Sequence, residues 1–318
     1  MITDIEGINT LKKVLVITQS EDQTVDYLMK TYGSEIQWYR LDVNRLDQYH
    51  IQIQNDRIHI TNEVESISDD EITGLYYRKV AFPDLNSFEN QYIPFMQKEI
   101  MSLVEGIAET VGYSCLSRPS VLRRSENKIV QLKSAERVKF NLARTLITND
   151  NISAERFSLE QSTIVKPIST GRFMGPDGWR YIQTNMVDYT NSFDGLSMAP
   201  AYFQEYIGKL DGEYRVTIIE RTVHAVRIDS NHAVDWRKKD AINKYSYVEL
   251  PYRLIKQCFD LMDDLDLSFG AFDFIKVGDE YMFLEINPNG QWLWLEQALG
   301  IPISRSIVTF LQKRRVGG

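Results

Sequence analysis

Cysteine and histidine are scarce in this chain, long apolar runs are missing, and no excess of basic residues advertises a polyanionic partner. Two cysteines occur among 318 residues. Cys115 and Cys258 stand in no metal or redox spacing and read as buried small hydrophobes, although sequence alone leaves a disulfide between them open. The four histidines, His50, His59, His224 and His232, form no ligand pattern such as HExxH, which argues against transition-metal catalysis. No stretch approaches the roughly 18 apolar residues of a membrane span. The N-terminus lacks the basic and apolar regions of a signal peptide, so the expected location is the cytoplasm, with no membrane partner. With 36 basic against 44 acidic residues the net charge is −8, which argues against nucleic acid as a general partner. A local basic pocket is still compatible with that balance. Repeats, low-complexity linkers and the Walker spacing GxxxxGK[ST] are absent as well.

What is present is an ordinary α/β pattern. A hydrophobic fraction of 43% over this length supports a large core and two or three domains. Residues 12–18 read as a buried strand, followed by a helix from Glu21-Asp22 to about Lys30 and a strand over 36–41. Residues 51–53 and 57–60 flank Gln54-Asn55-Asp56 as a hairpin, 72–78 is a strand ending in Arg78, and 88–111 carries helical periodicity. Arg118-Pro119 marks a boundary, after which Ser125 is expected to cap a helix through Ile129, Leu132 and Ala135. Strands over 145–148 and 162–166 surround a helix starting near Ser153. The loop over 168–178 holds three glycines and reads as a hairpin connection, with a mobile phosphate cover as the alternative. Strands over 201–207, 214–219 and 223–228, then a helix from Arg253 to about Leu265, complete the run.

The final hairpin carries the chemistry. Residues 271–277 and 281–287 alternate with period two, and a three-residue turn at Gly278-Asp279-Glu280 would pair Val277 with Tyr281 and therefore Asp273 with Glu285. That register collects Phe272, Phe274, Met282, Leu284 and Ile286 on an apolar face, and Asp273, Glu285 and Asn287 on the other. Two carboxylates across a ladder repel, so the pairing calls for a cation or a shared proton. Two carboxylates and an amide are an all-oxygen set suited to Mg²⁺. The plain alternative is a solvated hairpin edge, against which Trp292 and Trp294 argue.

Four earlier elements fit the same chemistry. Lys128 and Lys166 are cations of the kind a triphosphate needs, though each alone reads as surface charge. Gln204-Glu205-Tyr206-Ile207 ends a strand, where backbone and a carboxylate can read an adenine amino group. Glu213 and Arg215 lie two apart on one strand face, an acceptor for ribose and a fork for phosphate, or else a surface salt bridge. Taken in order with Asp273 and Glu285-Ile286-Asn287-Pro288, these elements resemble the ATP-grasp ligases.

Within that superfamily the chain is most similar to the microviridin-type graspetide synthetases, which macrocyclise ribosomally made precursor peptides. The likeness rests on Tyr77-Arg78, Gln131-Leu132, residues 145–149, Asp235-Trp236-Arg237, Leu250-Pro251 and residues 283–296, and extends from Val14 to Leu311. Ala143 departs from it, standing where proline is expected, and the long aromatic loop around Gly171 leaves its role as an ATP lid open. The resemblance implies an ATP-grasp fold with an N-terminal pre-ATP-grasp α/β domain over 1–118, a central domain over 119–203 and a C-terminal domain over 204–318. ATP would lie between the last two. It further implies phosphate contacts from Lys128 and Lys166, adenine contacts from Gln204, Glu205, Tyr206 and Ile207, ribose at Glu213, and Mg²⁺ at Asp273, Glu285 and Asn287. Arg215 would meet the transferring phosphate and Arg237 the incoming carboxylate, although stacking of Arg237 on Trp236 or pairing with Asp235 is an equal structural alternative. The expected reaction joins Asp or Glu side chains of a leader-and-core precursor to Thr/Ser hydroxyls or Lys amines, with a homodimer raised by the family alone. A ligase adding glutamate or another amino acid to a protein, and a non-catalytic ATP-binding module, are the alternatives.

Overall fold

In the computed structural model, which describes residues 11–169, 171–175, 178–182, 184–188, 193–209, 211–231 and 242–313, the first apolar runs become a parallel sheet. The chain divides into two compact units, residues 1–120 with 302–318, and residues 121–301. In the first unit, β1 (Lys12–Thr18), α1 (Gln23–Tyr32), β2 (Ile36–Asp42), β3 (His50–Gln54), β4 (Arg57–Thr61), β5 (Ser66–Ser68), β6 (Ile72–Tyr77) and α2 (Ile93–Thr110) follow in order. Strand β1 lies between β2 and β6, parallel to both, and Val14 to Ile17 are fully buried, as a parallel sheet covered on both faces requires. The β3–β4 hairpin turns through Asn55 and Asp56 alone, both with positive φ (50° and 67°), the conformation that two-residue hairpin turns favour. The C-terminal helix Ile303–Leu311 runs so close to β6 that a Cβ at Gly74 would lie 2.2 Å from the Leu311 carbonyl oxygen. Only glycine fits there.

The second unit begins within α3 (Pro119–Glu126) and continues through α4 (Lys128–Arg137), β7 (Asn141–Leu142), β8 (Thr145–Thr148), α5 (Asn151–Glu160), β9 (Thr163–Lys166), β10 (Arg172–Gly175), β11 (Gly178–Tyr181), β12 (Asn185–Met186) and β13 (Ala201–Glu205). It is completed by β14 (Glu213–Ile219), β15 (Thr222–Ser230), β16 (Asn243–Tyr247), α6 (Tyr252–Leu265), β17 (Phe269–Val277), β18 (Glu280–Asn287) and α7 (Leu293–Leu299). The glycine loop is an antiparallel β10–β11 hairpin. One four-stranded sheet has the order β12-β9-β13-β8, and a six-stranded sheet has the order β16-β15-β14-β17-β18-β7. Ser125 is not a helix cap: it lies inside α3, and Asn127 caps α4 by accepting from the Ile129 and Val130 amides. Asn127 stands directly before the first helical residue, so its single amide oxygen reaches the free amides of the first turn, whereas Ser125 lies two residues further upstream.

One core of this unit lies between one face of the large sheet and α6, and a separate cluster of Ala154, Leu196 and Phe203 lies in the part that holds the four-stranded sheet. Leu254, Cys258, Leu261, Met262 and Leu265 recur at helical spacing and pack on Tyr214, Val216, Ile218, Phe272, Phe274, Phe283 and Ile286. Phe140 stacks on Phe283 at 5.0 Å and meets Phe274 edge-on at 5.4 Å. Both cysteines are free and buried, as small hydrophobes.

Candidate active site

The opposite face of the six-stranded sheet is built by the same alternation. On β14, Tyr214, Val216 and Ile218 point into the core, so Glu213, Arg215 and Thr217 face the other way. Arg215 pairs with Asp273 on β17, and Asp273 with Glu285 on β18, which places one cation and two carboxylates in a row across three neighbouring strands. Asn287, opposite Ala271, is the next position on that face.

The row is reached by a different route from the expected one. Val277 pairs with Glu280, so the turn has two residues rather than three, and an unbroken ladder would have put Glu285 opposite Phe272, in the core. A β-bulge intervenes: Phe274 pairs with Phe283 while Asp273 pairs with Glu285, leaving Leu284 as the extra residue. The bulge restores the Asp273–Glu285 pairing and corrects the apolar face. Phe283 enters the core at 2% exposure, and the expected Met282 and Leu284 are only partly buried.

Each carboxylate of the row meets a cation. Arg215 donates from one terminal nitrogen to Asp273 Oδ2 at 3.1 Å, and Lys128 Nζ donates to Glu285 Oε2 at 2.5 Å. A cation at each end of the row, Arg215 on Asp273 and Lys128 on Glu285, relieves the repulsion that two adjacent carboxylates would create. All four side chains are mostly withdrawn from solvent, between 6% and 19% exposed, where charges act on one another strongly. Lys128 is the first residue of α4, so the Asn127 cap sets the point from which it reaches the sheet.

A third cation comes from the four-stranded sheet. Lys166 Nζ donates to Gln204 Oε1 at 3.1 Å and lies 4.6 Å from the Tyr202 ring centroid. Gln204 Nε2 in turn donates to the Tyr202 hydroxyl at 3.1 Å. Burial pushes the Tyr202 phenol up to about 12; the Thr145 hydroxyl works against that and the Glu285 charge adds to it. Tyr202 is therefore a neutral platform beneath Lys166, within the electrostatic reach of the carboxylate row.

At the end of β13, Glu205 N–H donates to Arg144 C=O (2.9 Å), Glu205 Oε2 accepts from Arg144 N–H (3.3 Å), and Tyr206 N–H donates to Ser162 C=O (2.8 Å). Two of the expected adenine-reading groups are thus bonded within the protein, and Ile207 is the next residue on that edge. Glu213 and Arg215 are not a surface salt bridge: they are 7% and 5% exposed, and Glu213 pairs with Lys209 while Arg215 turns to Asp273. Arg237, with Asp235 and Trp236, lies outside the described residues. Sequence reasoning assigned no role to Tyr202, Lys209 or Thr145. The missed signal was period two on β13, which puts Tyr202 and Gln204 on one face.

Cations and oxygen donors on two sheets of one unit are groups of the kind that activation of a carboxylate by ATP requires. No protein-family model matches the chain. A RiPP-associated ATP-grasp ligase from Chryseobacterium gregarium, solved with ADP and a leader and core peptide, is 26% identical, with 96% of this chain and all of that one covered and a TM-score of 0.84. The macrocyclase MdnB from Microcystis aeruginosa MRC is 25% identical, with 94% of this chain and 99% of that one covered and a TM-score of 0.78. The α-aminoadipate–LysW ligase LysX of Saccharolobus solfataricus is 23% identical over 220 residues, 65% of this chain and 79% of LysX. The chain is an ATP-grasp ligase, and in sequence and fold it is similar to the RiPP-associated members of that class.

Proposed function

We propose that this enzyme closes rings in a ribosomally made precursor peptide: it converts Asp or Glu side chains to acyl phosphates and joins them to Thr/Ser hydroxyls or Lys amines. The observation that carries the site assignment is the row Arg215, Asp273, Glu285 and Lys128 across the sheet. A substrate carboxylate oxygen attacks the γ-phosphorus of ATP and ADP leaves; the hydroxyl or amine then attacks the acyl carbon, losing a proton as phosphate departs. The protein's task is charge placement rather than covalent help.

Asp273, Glu285 and Asn287 fit magnesium. Two carboxylates and an amide oxygen are hard donors, which suit an ion that would keep waters and phosphate oxygens in its shell. When bound, the ion supplies charge neutralisation on the phosphates. Lys128, now on Glu285, has a flexible stem that can turn to a phosphate once a divalent ion takes the carboxylate. Lys166 holds another phosphate from its Tyr202 platform. Gln204, Glu205, Tyr206 and Ile207 line the adenine side, with the Ile207 amide as the donor to the base, and Glu213 accepts from the ribose. Arg215 stabilises the transferring phosphoryl group, and Arg237 holds the incoming carboxylate. Nucleotide would lie between segments 119–203 and 204–318, and self-association into a homodimer belongs to the same reading, checked by sedimentation.

The test is a mass. Incubated with ATP, Mg²⁺ and a precursor peptide carrying a leader and an acidic, Thr-rich core, the enzyme should lower the peptide mass by multiples of ~18 Da, one water per bond. An unchanged mass counts against ring closure. The likeness to LysX favours a second reading, addition of an amino acid to a protein tail, and that outcome would raise the mass.

A further inference from the structure

Gln131 is a polar side chain in the middle of α4, yet it is only 2% exposed. Its amide nitrogen donates to the carbonyls of Ser125 (2.7 Å) and Ile286 (2.9 Å), and its amide oxygen accepts from the Ile286 N–H (3.3 Å). A side-chain amide that accepts from the N–H and donates to the C=O of one residue copies the pairing of a neighbouring strand. Strand β7 pairs with β18 only at Met282 and Phe283, and Gln131 takes over that edge three residues further on.

Position makes this bond matter. Gln131 is three residues beyond Lys128 and so shares its helix face. Ile286 lies between Glu285 and Asn287, just past the Leu284 bulge, where the ladder's regular register has been broken and needs a pin. We infer that Gln131 is a positioning residue of the nucleotide–metal site: by gripping the Ile286 backbone it holds Glu285 and Asn287 in register against Lys128. This rests on the reading of Lys128, Glu285 and Asn287 as the phosphate and metal end of the site. Gln131 itself touches neither nucleotide nor metal, and acts as a partner that fixes ligands in place, a role whose loss costs about 10- to 100-fold in metal affinity or activity.

Gln131→Met keeps the length of the side chain and removes all three bonds. The variant is measured at a temperature well below its melting point, with folding checked by near-ultraviolet circular dichroism. The expected result is a rise of about 10-fold or more in the Mg²⁺ dissociation constant measured by isothermal titration calorimetry in the presence of ADP, matched by the Mg²⁺ concentration giving half-maximal ADP formation, with the peptide KM unchanged; a merely structural role would not produce that split. Glu285→Gln is run alongside. If Glu285→Gln loses Mg²⁺-dependent turnover while folded Gln131→Met keeps the wild-type Mg²⁺ constant, the positioning role is overturned alone. Wild-type turnover in Glu285→Gln overturns the metal site beneath it. Should Gln131→Met fail to fold, Gln131→Glu, which keeps the acceptor for Ile286 N–H and loses the donors when ionised, is read in the same way: a raised Mg²⁺ constant supports the role and a wild-type constant overturns it.

Discussion

Two buried arginine–aspartate pairs, one in each unit, look alike on paper and differ in what surrounds them. Arg78 in the first unit is fully withdrawn from solvent, donates to Asp22 at 3.2 Å and to the Tyr76 hydroxyl at 3.1 Å, and lies against the Tyr76 ring. Asp22 also accepts from the Thr18 hydroxyl and from the Thr24 and Val25 amides at the start of α1. Every strong direction of that carboxylate is met by the fold. Arg215 in the second unit bonds to Asp273 and, weakly, to Ala271 C=O, but its Nε is buried without a hydrogen-bond partner among the described residues. Asp273 faces a second carboxylate. The first pair is closed and holds a strand end to a helix start; the second retains donor capacity beside opposed charges, the condition in which a phosphoryl group finds stabilisation.

Breaking each arginine should separate these roles. Arg78→Met leaves Asp22 buried without its cation and should cost about 3–5 kcal/mol of stability in chemical denaturation, with ADP formation per folded molecule preserved. Arg215→Met should lower ADP formation by about 100-fold or more with a smaller loss of stability. Equal behaviour of the two variants in both measurements would erase the distinction. Next in size, Glu285→Gln removes a charge from the row while keeping its shape. It should reduce Mg²⁺-dependent ADP formation by about 100-fold, equivalent to about 2.7 kcal/mol, with little change in melting temperature.

The smallest effect concerns pH. Burial acts to raise the Asp22 carboxyl, but the Arg78 charge, its hydrogen bond and the Thr18 hydroxyl outweigh it, so the group sits below its ordinary value of 3.8. A depressed carboxyl contributes stability that is complete above the unfolded value and is lost as pH falls through the folded one. The stability difference between wild type and Asp22→Asn should therefore be constant at neutral pH and shrink below about 3.8. A difference that stays constant into that acid range would show that the charge on Asp22 is not what the pair contributes.

Much of this was legible locally. Asp273, Glu285 and Asn287 stood out because polar residues interrupt an apolar alternation, and the helix expected from Arg253 to about Leu265, found as Tyr252–Leu265, followed from spacing alone. Tyr76 and Thr18 around Arg78 were not legible, because the residues that close a buried charge come from different strands and are adjacent only after folding. The Lys128–Glu285 pair spans 157 positions, and no local pattern carries such a separation.

Local patterns were enough for the type and order of most elements up to α6, the face on which the carboxylates belong, and the class of chemistry that oxygen ligands and lysines can perform. These follow from periodicity and side-chain chemistry, which act over a few residues. Only the tertiary structure decided how Glu285 reaches that face. The local turn favours a register that would bury the carboxylate against Phe272, and the sheet resolves the conflict with a bulge at Leu284 and a hydrogen-bonded grip from Gln131 on Ile286. Burying an unpaired charge costs more than one irregular residue in a ladder, and that balance exists only when the strands, the helix and the core are assembled.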